Sequence, residues 1–198
     1  MIKFCRDLYT IYRSITGVGV EKSLEYIKSY IPLEIKKIKS GTKVFDWIIP
    51  PEWNIKDAYV IELSSGKKVI DFKSHNLHIV GYSEPVDIQV SYEKLIKHLF
   101  YVKDKPEAIP YITSYYSKNW GFCLSFNDFK NLDKDSNYKV VIDSSYNLEG
   151  HLTYGELLIK GESKKEILFS SYICHPQMVN NELSGPAVLS GIANQLIY

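Results

Sequence analysis

The residues best suited to chemistry follow an apolar run near the end of the sequence. Residues 167–173 are largely apolar, which is typical of a strand covered on both faces in an α/β sheet. His175 stands at the carboxyl end of that predicted strand, where open α/β sheets bind their ligands. Pro176 ends the strand, and the polar residues 180–182 lie in the loop before the next helix. An imidazole beside an oxygen ligand is half of what a catalytic zinc needs, so this segment predicts part of a metal site.

Two other interpretations of this segment stay open. In one, His175 hydrogen-bonds the loop backbone and Asn181 caps a turn, as Asn often does. In the other, Cys174 is a nucleophile and His175 its base, but adjacent strand residues point to opposite faces, so we expect no activating hydrogen bond between them. Ser184 precedes Gly185 without a Gly-x-Ser-x-Gly elbow, so we expect it to cap a helix.

We expect several helices and strands, recognised by the spacing of their apolar residues, to position this site. Residues 8–15 and 24–31 have apolar residues at helical spacing, and Gly17 and Gly19 interrupt the pattern between them. This spacing predicts a helical hairpin. The alternating residues 33–38 then predict a strand.

Three more strands are predicted in close succession, at 138–142, 154–159 and 166–173. Their order favours neighbouring positions in one sheet. A helix predicted from Ser184 onward has apolar residues along one face, so we expect it to be buried against that sheet.

Between the first helices and these strands the pattern changes to short β-like runs. Residues 58–63 and 67–70 are separated by turn residues at 65–66. Residues 91–102 return to helical spacing, with Ser91 as the predicted N-cap.

These segments together favour the α/β class, with a mixed central sheet flanked by helices and a small β-rich insertion. We assign residues 1–44 and 105–198 to the α/β core and residues 45–104 to the β-rich inserted domain. The length of 198 residues suits one domain that carries an insertion.

Composition excludes some classes of function. A formal net charge of +1 lacks the basic excess that nucleic-acid binding normally needs. No apolar run approaches the roughly 20 residues of a membrane span, and the first residues lack a signal-peptide core, so we expect a cytoplasmic protein with no nucleic-acid or membrane partner. Cys5, Cys123 and Cys174 have no CxxC spacing, which argues against a disulfide framework and a thiolate zinc cluster.

Two further groups could carry chemistry. His75 and His78 are three apart in a segment predicted as strand or turn, where they would face opposite ways, so joint metal binding is disfavoured. Four aromatic residues could line a peptide or sugar site, although a packed core is the preferred interpretation. These four are Tyr111, Tyr115, Tyr116 and Trp120.

His175 and residues 181–185, Asn-Glu-Leu-Ser-Gly, resemble the strand-end His and the Asn-Asp-x-x-Ser-Gly loop of the M28-type, co-catalytic zinc aminopeptidases. The sequence resembles more closely the bacterial aminopeptidase-like family DUF4910, with its inserted DUF2172 domain. This similarity spans nearly the whole chain. The segments that carry it are 110–116, 120–123, 154–156, 172–176 and 180–186.

The resemblance implies a metallohydrolase in which zinc-activated water attacks an N-terminal peptide bond or a related amide, with a peptide or small amide as substrate. It implies zinc as cofactor, with one or two ions in a complete protein and a partial site here. His175 takes the place of the zinc-binding His, and Asn181 takes the place of an Asp that bridges two zincs. Gln177 stands where the wider pattern has an Asp that steadies the His.

The resemblance also implies that a Glu-Glu pair with the general base, a further carboxylate and a second His lie beyond this sequence. We therefore assign no catalytic residue here and expect the chain alone to be inactive. The alternative function is a non-catalytic binding or scaffold protein with a degenerate aminopeptidase-like fold, which Asn181 and Gln177 favour. An uncovered apolar core at the final helix predicts homo-oligomers or association through that surface.

Overall fold

A computed structural model describes residues 1–197 of the chain. The helices are α1 (Ile2–Tyr9), α2 (Val18–Lys28), α3 (Tyr92–Leu95), α4 (Phe126–Lys130) and α5 (Ser184–Ile197). Single turns of 3₁₀-helix cover Asn76–His78 and Ile96–His98, and a turn of π-helix covers Val179–Leu183. The first five strands are β1 (Glu34–Lys39), β2 (Lys43–Val44), β3 (Trp47–Ile48), β4 (Glu52–Glu62) and β5 (Lys67–Asp71). The others are β6 (Val86–Ser91), β7 (Leu99–Phe100), β8 (Phe122–Cys123), β9 (Asn137–Asn147) and β10 (His151–Glu156).

The chain divides into two compact units. The first unit contains Met1–Glu52 and the residues from Asn147 onward, and the second contains Trp53–Tyr146. The second unit thus also includes residues 105–146, which the sequence analysis placed in the α/β core. The assignment of residues 45–104 to an inserted domain stays a prediction.

The first unit is built on the two N-terminal helices. Strands β1 and β10 form an antiparallel pair, with Glu34 opposite Glu156 and Lys39 opposite His151. Apolar residues of α1 and α2 form the core, and Leu183 and Ala187 join them from the last part of the chain. The buried members of this core are Phe4, Leu8, Val20, Leu24, Ile27, Ile31, Leu33, Leu183 and Ala187.

The second unit is centred on a four-stranded sheet with the order β5-β4-β9-β6. Its buried Trp53 donates from Nε1 to the Ser83 carbonyl at 2.9 Å and stacks on Tyr82, with ring centroids 5.5 Å apart. A second, small sheet pairs β7 and β8 in parallel. The unit is therefore rich in β-structure.

Several predicted elements are confirmed. The strand predicted at 33–38 is β1, and the strands at 138–142 and 154–159 correspond to β9 and β10. The helix predicted from Ser184 onward is α5.

The prediction that the last three strands adjoin in one sheet is wrong. Strand β9 belongs to the four-stranded sheet, whereas β10 pairs with β1. Residues 166–173 form no strand, because they share no hydrogen-bonded ladder with any strand of residues 1–197. His175 therefore lies in an irregular segment, and not at the end of a sheet strand.

The helix predictions need three corrections. Helix α1 ends at Tyr9 because the Leu8 carbonyl accepts from Ile11 N–H and from the Arg13 side chain, not from the next helical turn. The predicted helix at 91–102 is one α-helical turn, one 3₁₀ turn and strand β7. Helix α5 packs on the core of the first unit, and the sheet of three adjoining strands that was predicted to cover it does not form.

Over residues 1–197, no helix is both long and apolar enough to cross a lipid bilayer.

Candidate metal centre

His175 lies where the irregular segment after β10 turns back toward the core of the first unit. Ile173 still packs on the core helices, and Pro176 is buried. Gln177 adopts a φ of 41°, a left-handed conformation that is uncommon for a residue other than glycine and often marks functional sites. The chain then enters the π-helical turn Val179–Leu183, a rare geometry that also concentrates at functional sites.

Glu182, in that π-helical turn, holds His175 at two points. Its Oε1 accepts from the backbone N–H of His175 at 2.9 Å, and its Oε2 lies 2.7 Å from the ring Nδ1. The Glu182 side chain is 0% exposed, whereas that of His175 is 23% exposed. Because an ionised carboxylate only accepts hydrogen bonds, Nδ1 carries the proton and Nε2 is the ring atom available to a metal.

Arg13 fixes His175 from the other side. Its Nε donates to the His175 carbonyl at 3.1 Å, and its Nη1 donates to the carbonyl of Leu8 at 2.6 Å. The residue is 0% exposed, and its Nη2 has no hydrogen-bond partner among the described residues. The backbone N–H and C=O of His175 are therefore both satisfied by charged, buried side chains.

The charges of this cluster shift two pKa values. Burial lowers the pKa of the Arg13 guanidinium to about 10, although its interactions with Glu182 and Cys174 act in the other direction. Hydrogen bonds with Cys174 and with Glu182 raise the pKa of His175 to about 9, although burial acts in the other direction. Without a metal, the imidazole is therefore mainly cationic at neutral pH, so a metal that binds Nε2 must displace the proton there.

Cys174 lies closer to His175 than the sequence analysis predicts. Its Sγ is 3.5 Å from Nδ1, because residues 174–175 are not in a strand and do not point to opposite faces. The exclusion of a contact between them was therefore wrong. However, Nδ1 already donates to Glu182, so it cannot also be the base that deprotonates the thiol.

Cys174, His175 and Glu182 are the one group of three in residues 1–197 with potential ligand atoms close enough for a metal. These ligand atoms all lie within 4.8 Å of one another. The 2.7 Å separation of Nδ1 from Oε2 is that of a hydrogen bond. We therefore favour a metal at Nε2 with Glu182 as the partner of the other ring nitrogen, an arrangement that is common for zinc-binding histidines.

Asn181, the second predicted ligand, lies next to Glu182 and is exposed. Its backbone carbonyl accepts from the Tyr172 hydroxyl at 2.8 Å, and the Tyr172 ring is 5.3 Å from the His175 ring. Tyr172 thus connects the two predicted ligands. An open cavity of about 570 Å³ adjoins Tyr172 and Asn181, and its lining also includes Ser170, Ser171, Ser184 and Gly185. Metal ligation by Asn181 stays a prediction.

Two residues of this site, Glu182 and Arg13, were not predicted from the sequence. Glu182 supplies the carboxylate for His175 that Gln177 cannot supply. Its sequence signal is a lone carboxylate directly before Leu183 and a helix with an apolar face, where a buried charge needs a partner. Arg13 has a similar signal, because it is the single charged residue of the stretch 8–20.

The other histidine pair has structural partners. His75 Nδ1 accepts from the Leu77 backbone N–H at 3.2 Å, and His78 Nδ1 lies 2.7 Å from the Cys123 carbonyl. The two rings are 6.0 Å apart, nearer than opposite-facing side chains would be. Cys123 is fully buried, and burial raises the pKa of its thiol to about 12, in keeping with a small apolar residue of the core.

The described structure is a mixed α/β protein whose candidate metal centre rests on a buried histidine–glutamate pair. The chain belongs to the family described as "Domain of unknown function (DUF4910)", which matches residues 2–198.

Two relatives from Clostridium acetobutylicum extend this finding. One, provisionally named a polysaccharide biosynthesis protein with an aminopeptidase-like domain, is 53% identical over 190 residues, which is 96% of this chain and 43% of the relative. The other is a crystal structure of a protein provisionally described as a peptidase, at 51% identity and a TM-score of 0.95. That match covers 98% of this chain and 46% of the crystallised one. The chain thus spans less than half the length of these relatives.

Proposed function

We propose that this chain supplies the His175 side of a zinc site in an aminopeptidase-like hydrolase of the M28 type. The observation that carries this proposal is the contact between His175 Nδ1 and the buried Glu182 carboxylate. A carboxylate that accepts from one ring nitrogen fixes the tautomer and makes the other nitrogen a better zinc ligand. The peptidase and aminopeptidase-like names of the relatives support the same class of function.

The donor set fits zinc in part. Nε2 of His175 provides one nitrogen ligand, and the Asn181 amide oxygen is the nearest predicted oxygen ligand. Catalytic zinc sites use about three protein ligands, so these two residues alone should hold the ion weakly. The neutral amide of Asn181 cannot bridge two cations as a carboxylate does, which favours one zinc over two.

Each residue has a separate task in the proposed hydrolase. Glu182 and Arg13 hold the His175 backbone and ring in one orientation, and His175 binds the metal. Zinc, when bound, supplies an activated water for attack on an N-terminal peptide bond or a related amide. The general base is expected from residues outside the set assigned here, so hydrolysis by this chain alone is not part of the proposal.

Zinc affinity measured by competition with a fluorescent chelator tests this function. We expect weak 1:1 binding by the chain, and we expect His175→Asn to abolish it. His151→Asn is the matched control, since His151 is a partly buried histidine of the same unit. Equal zinc binding by the wild-type chain and His175→Asn would contradict the proposal.

The alternative is a binding or scaffold protein that keeps this fold without hydrolysis. Asn181 in place of a bridging carboxylate favours it. Release of amino acids from chromogenic amides by the full-length C. acetobutylicum relative separates the two functions. Zinc-dependent release supports the hydrolase, whereas zinc binding without any release supports the scaffold.

A further inference from the structure

A row of aromatic rings in the second unit leads from its core to solvent. Tyr82 is buried, and the centroid of its ring lies 5.5 Å from that of Trp53 and 5.0 Å from that of Tyr115. The ring of Tyr116 meets that of Tyr115 at 82°, with centroids 6.1 Å apart, and Tyr116 is 81% exposed. An aromatic side chain in open water is therefore held by rings that reach back to the core.

Three of the four aromatic residues singled out in the sequence come together here. The hydroxyl oxygens of Tyr111 and Tyr115 lie 2.9 Å apart, and the Tyr115 ring contacts that of Tyr116. We call Tyr111, Tyr115 and Tyr116 the tyrosine platform. Trp120, the fourth residue, stacks on His98 with ring centroids 3.6 Å apart. A packed core, which the sequence favours for this stretch, does not describe Tyr116.

The backbone beneath the tyrosine platform is held in a strained conformation. The Gly81 N–H donates to the Ile112 carbonyl at 2.9 Å, and the Gly81 carbonyl accepts from the Ser114 N–H at 2.9 Å. Tyr82 follows with a φ of 62°, which is a genuine outlier for so bulky a residue, and its carbonyl accepts from the Tyr146 hydroxyl. Strain of this kind is concentrated at ligand sites, where the surrounding contacts maintain it.

We propose that the tyrosine platform binds an oligosaccharide of pyranose rings. A pyranose with equatorial hydroxyls presents C–H bonds on its faces and hydroxyls around its edge. The C–H face packs on an open aromatic ring, and Tyr116 offers such a ring. The sugar hydroxyls need groups that both donate and accept hydrogen bonds, as the phenol groups of Tyr111 and Tyr115 do. Ser117 and Lys118, both exposed, add polar groups directly after Tyr116.

The backbone of this stretch favours a saccharide over a peptide. An extended peptide gains affinity when its main chain pairs with the edge of a sheet. Within the described residues 110–121, one isolated bridge, between Thr113 and Gly81, takes the place of such an edge. Recognition at the tyrosine platform therefore depends on ring faces and hydroxyl groups, which are the groups that a saccharide matches.

Saturation-transfer NMR with β-1,4-linked hexamers of glucose, N-acetylglucosamine and xylose tests the proposal. The buffer contains a metal chelator, so that the result does not depend on the proposed zinc site. We expect transfer to the ring C–H protons of at least one hexamer, with a dissociation constant in the millimolar range or below. A hexapeptide of alanine and serine is the comparison ligand. Failure of all these hexamers to bind, or tighter binding of the hexapeptide, would overturn the proposal.

Substitutions at Tyr116 show whether its ring makes the contact. Tyr116→Leu keeps an apolar side chain but removes the ring face, and we expect about a tenfold or greater loss of saccharide affinity. Tyr116→Phe keeps the ring, so its affinity should stay within about threefold of the wild type. Tyr154→Leu, at an exposed tyrosine of the first unit, is the control and should bind like the wild type.

The exposure of Tyr116 means that neither substitution should unfold the chain, and equal thermal unfolding midpoints verify this. Equal saccharide affinity of Tyr116→Leu and the wild-type chain would refute the proposal.

Discussion

The carboxylate of Glu182 contacts both the backbone and the ring of His175. Oε1 accepts from the backbone N–H at 2.9 Å, while Oε2 lies 2.7 Å from Nδ1. One buried side chain therefore fixes the position of His175 in the chain and the orientation of its imidazole. A sheet strand could have fixed the backbone of His175, and a second residue its ring. Here the Glu182 carboxylate fixes both.

Replacement of Glu182 by Gln should weaken zinc binding at His175. The neutral amide can no longer hold the Nδ1 proton as strongly, so the ring loses basicity and orientation. We expect about a 10- to 100-fold loss of zinc affinity. Chelator competition measures this loss, and Glu25→Gln, at an exposed glutamate of the same unit, should leave the affinity unchanged. If both variants bind zinc like the wild type, Glu182 does not support the metal ligand.

The metal-free chain should lose stability as the pH rises through the pKa of His175. The folded-state pKa is about 9, above the ordinary value of 6.5, so the folded state binds the proton more tightly than the unfolded state. The stabilisation by protonated His175 is fully present below pH 6.5 and disappears as the pH rises to about 9. Urea unfolding at a series of pH values should show this decline in the wild type and a smaller one in His175→Asn. Parallel pH profiles for the two proteins would refute the assignment.

Replacement of Arg13 by Met should destabilise the first unit. The change leaves the Leu8 and His175 carbonyls without these donors and removes the positive charge near Glu182. We expect a loss of about 3 kcal/mol in the free energy of unfolding, as for other buried polar groups left unpaired. Arg6→Met, at an exposed arginine of α1, should change the free energy of unfolding by less than about 0.5 kcal/mol. Similar effects of the two substitutions would show that Arg13 has no special part in the fold.

Substitution by alanine should change the free energy of unfolding in opposite directions at two glycines, Gly19 and Gly191. At Gly19 a Cβ would overlap the backbone carbonyl oxygen of Tyr12, so Gly19→Ala must displace the chain that leads to Arg13. We expect a loss of about 2 kcal/mol or more in the free energy of unfolding. At Gly191, inside α5, a Cβ meets no atom within 4 Å, so Gly191→Ala should stabilise the helix by about 0.5–1 kcal/mol. Thermal unfolding of both variants compares these signs directly, and a stable Gly19→Ala variant would contradict the close approach.

Helices and strands whose own residues show a clear apolar spacing could be predicted from the sequence. In β9 the buried residues Tyr138, Val140 and Ile142 alternate with less buried ones, and this alternation alone indicates a strand. Residues 166–173 have an equally apolar sequence, but a strand also needs a hydrogen-bonded neighbour. A local pattern does not contain that information, which is why this prediction failed.

The candidate site could be predicted only in part for a similar reason. The resemblance singled out His175, but its partner Glu182 lies seven residues away and reaches it only because the segment between them folds back through Gln177 and the π-helical turn. Arg13 is 162 residues from His175 in the sequence. Contacts of this kind depend on tertiary packing, which residue spacing does not encode.

The measurement that tests the account most directly is nitrogen-15 NMR of the His175 side chain during a zinc titration. If Glu182 holds the Nδ1 proton, zinc should shift the Nε2 resonance strongly, while Nδ1 keeps the chemical shift of a protonated nitrogen. A zinc-induced shift at Nδ1, with loss of its proton, would instead indicate direct ligation by Cys174, His175 and Glu182. That result, or the absence of any zinc-dependent shift, would contradict the proposed role of the His175–Glu182 pair.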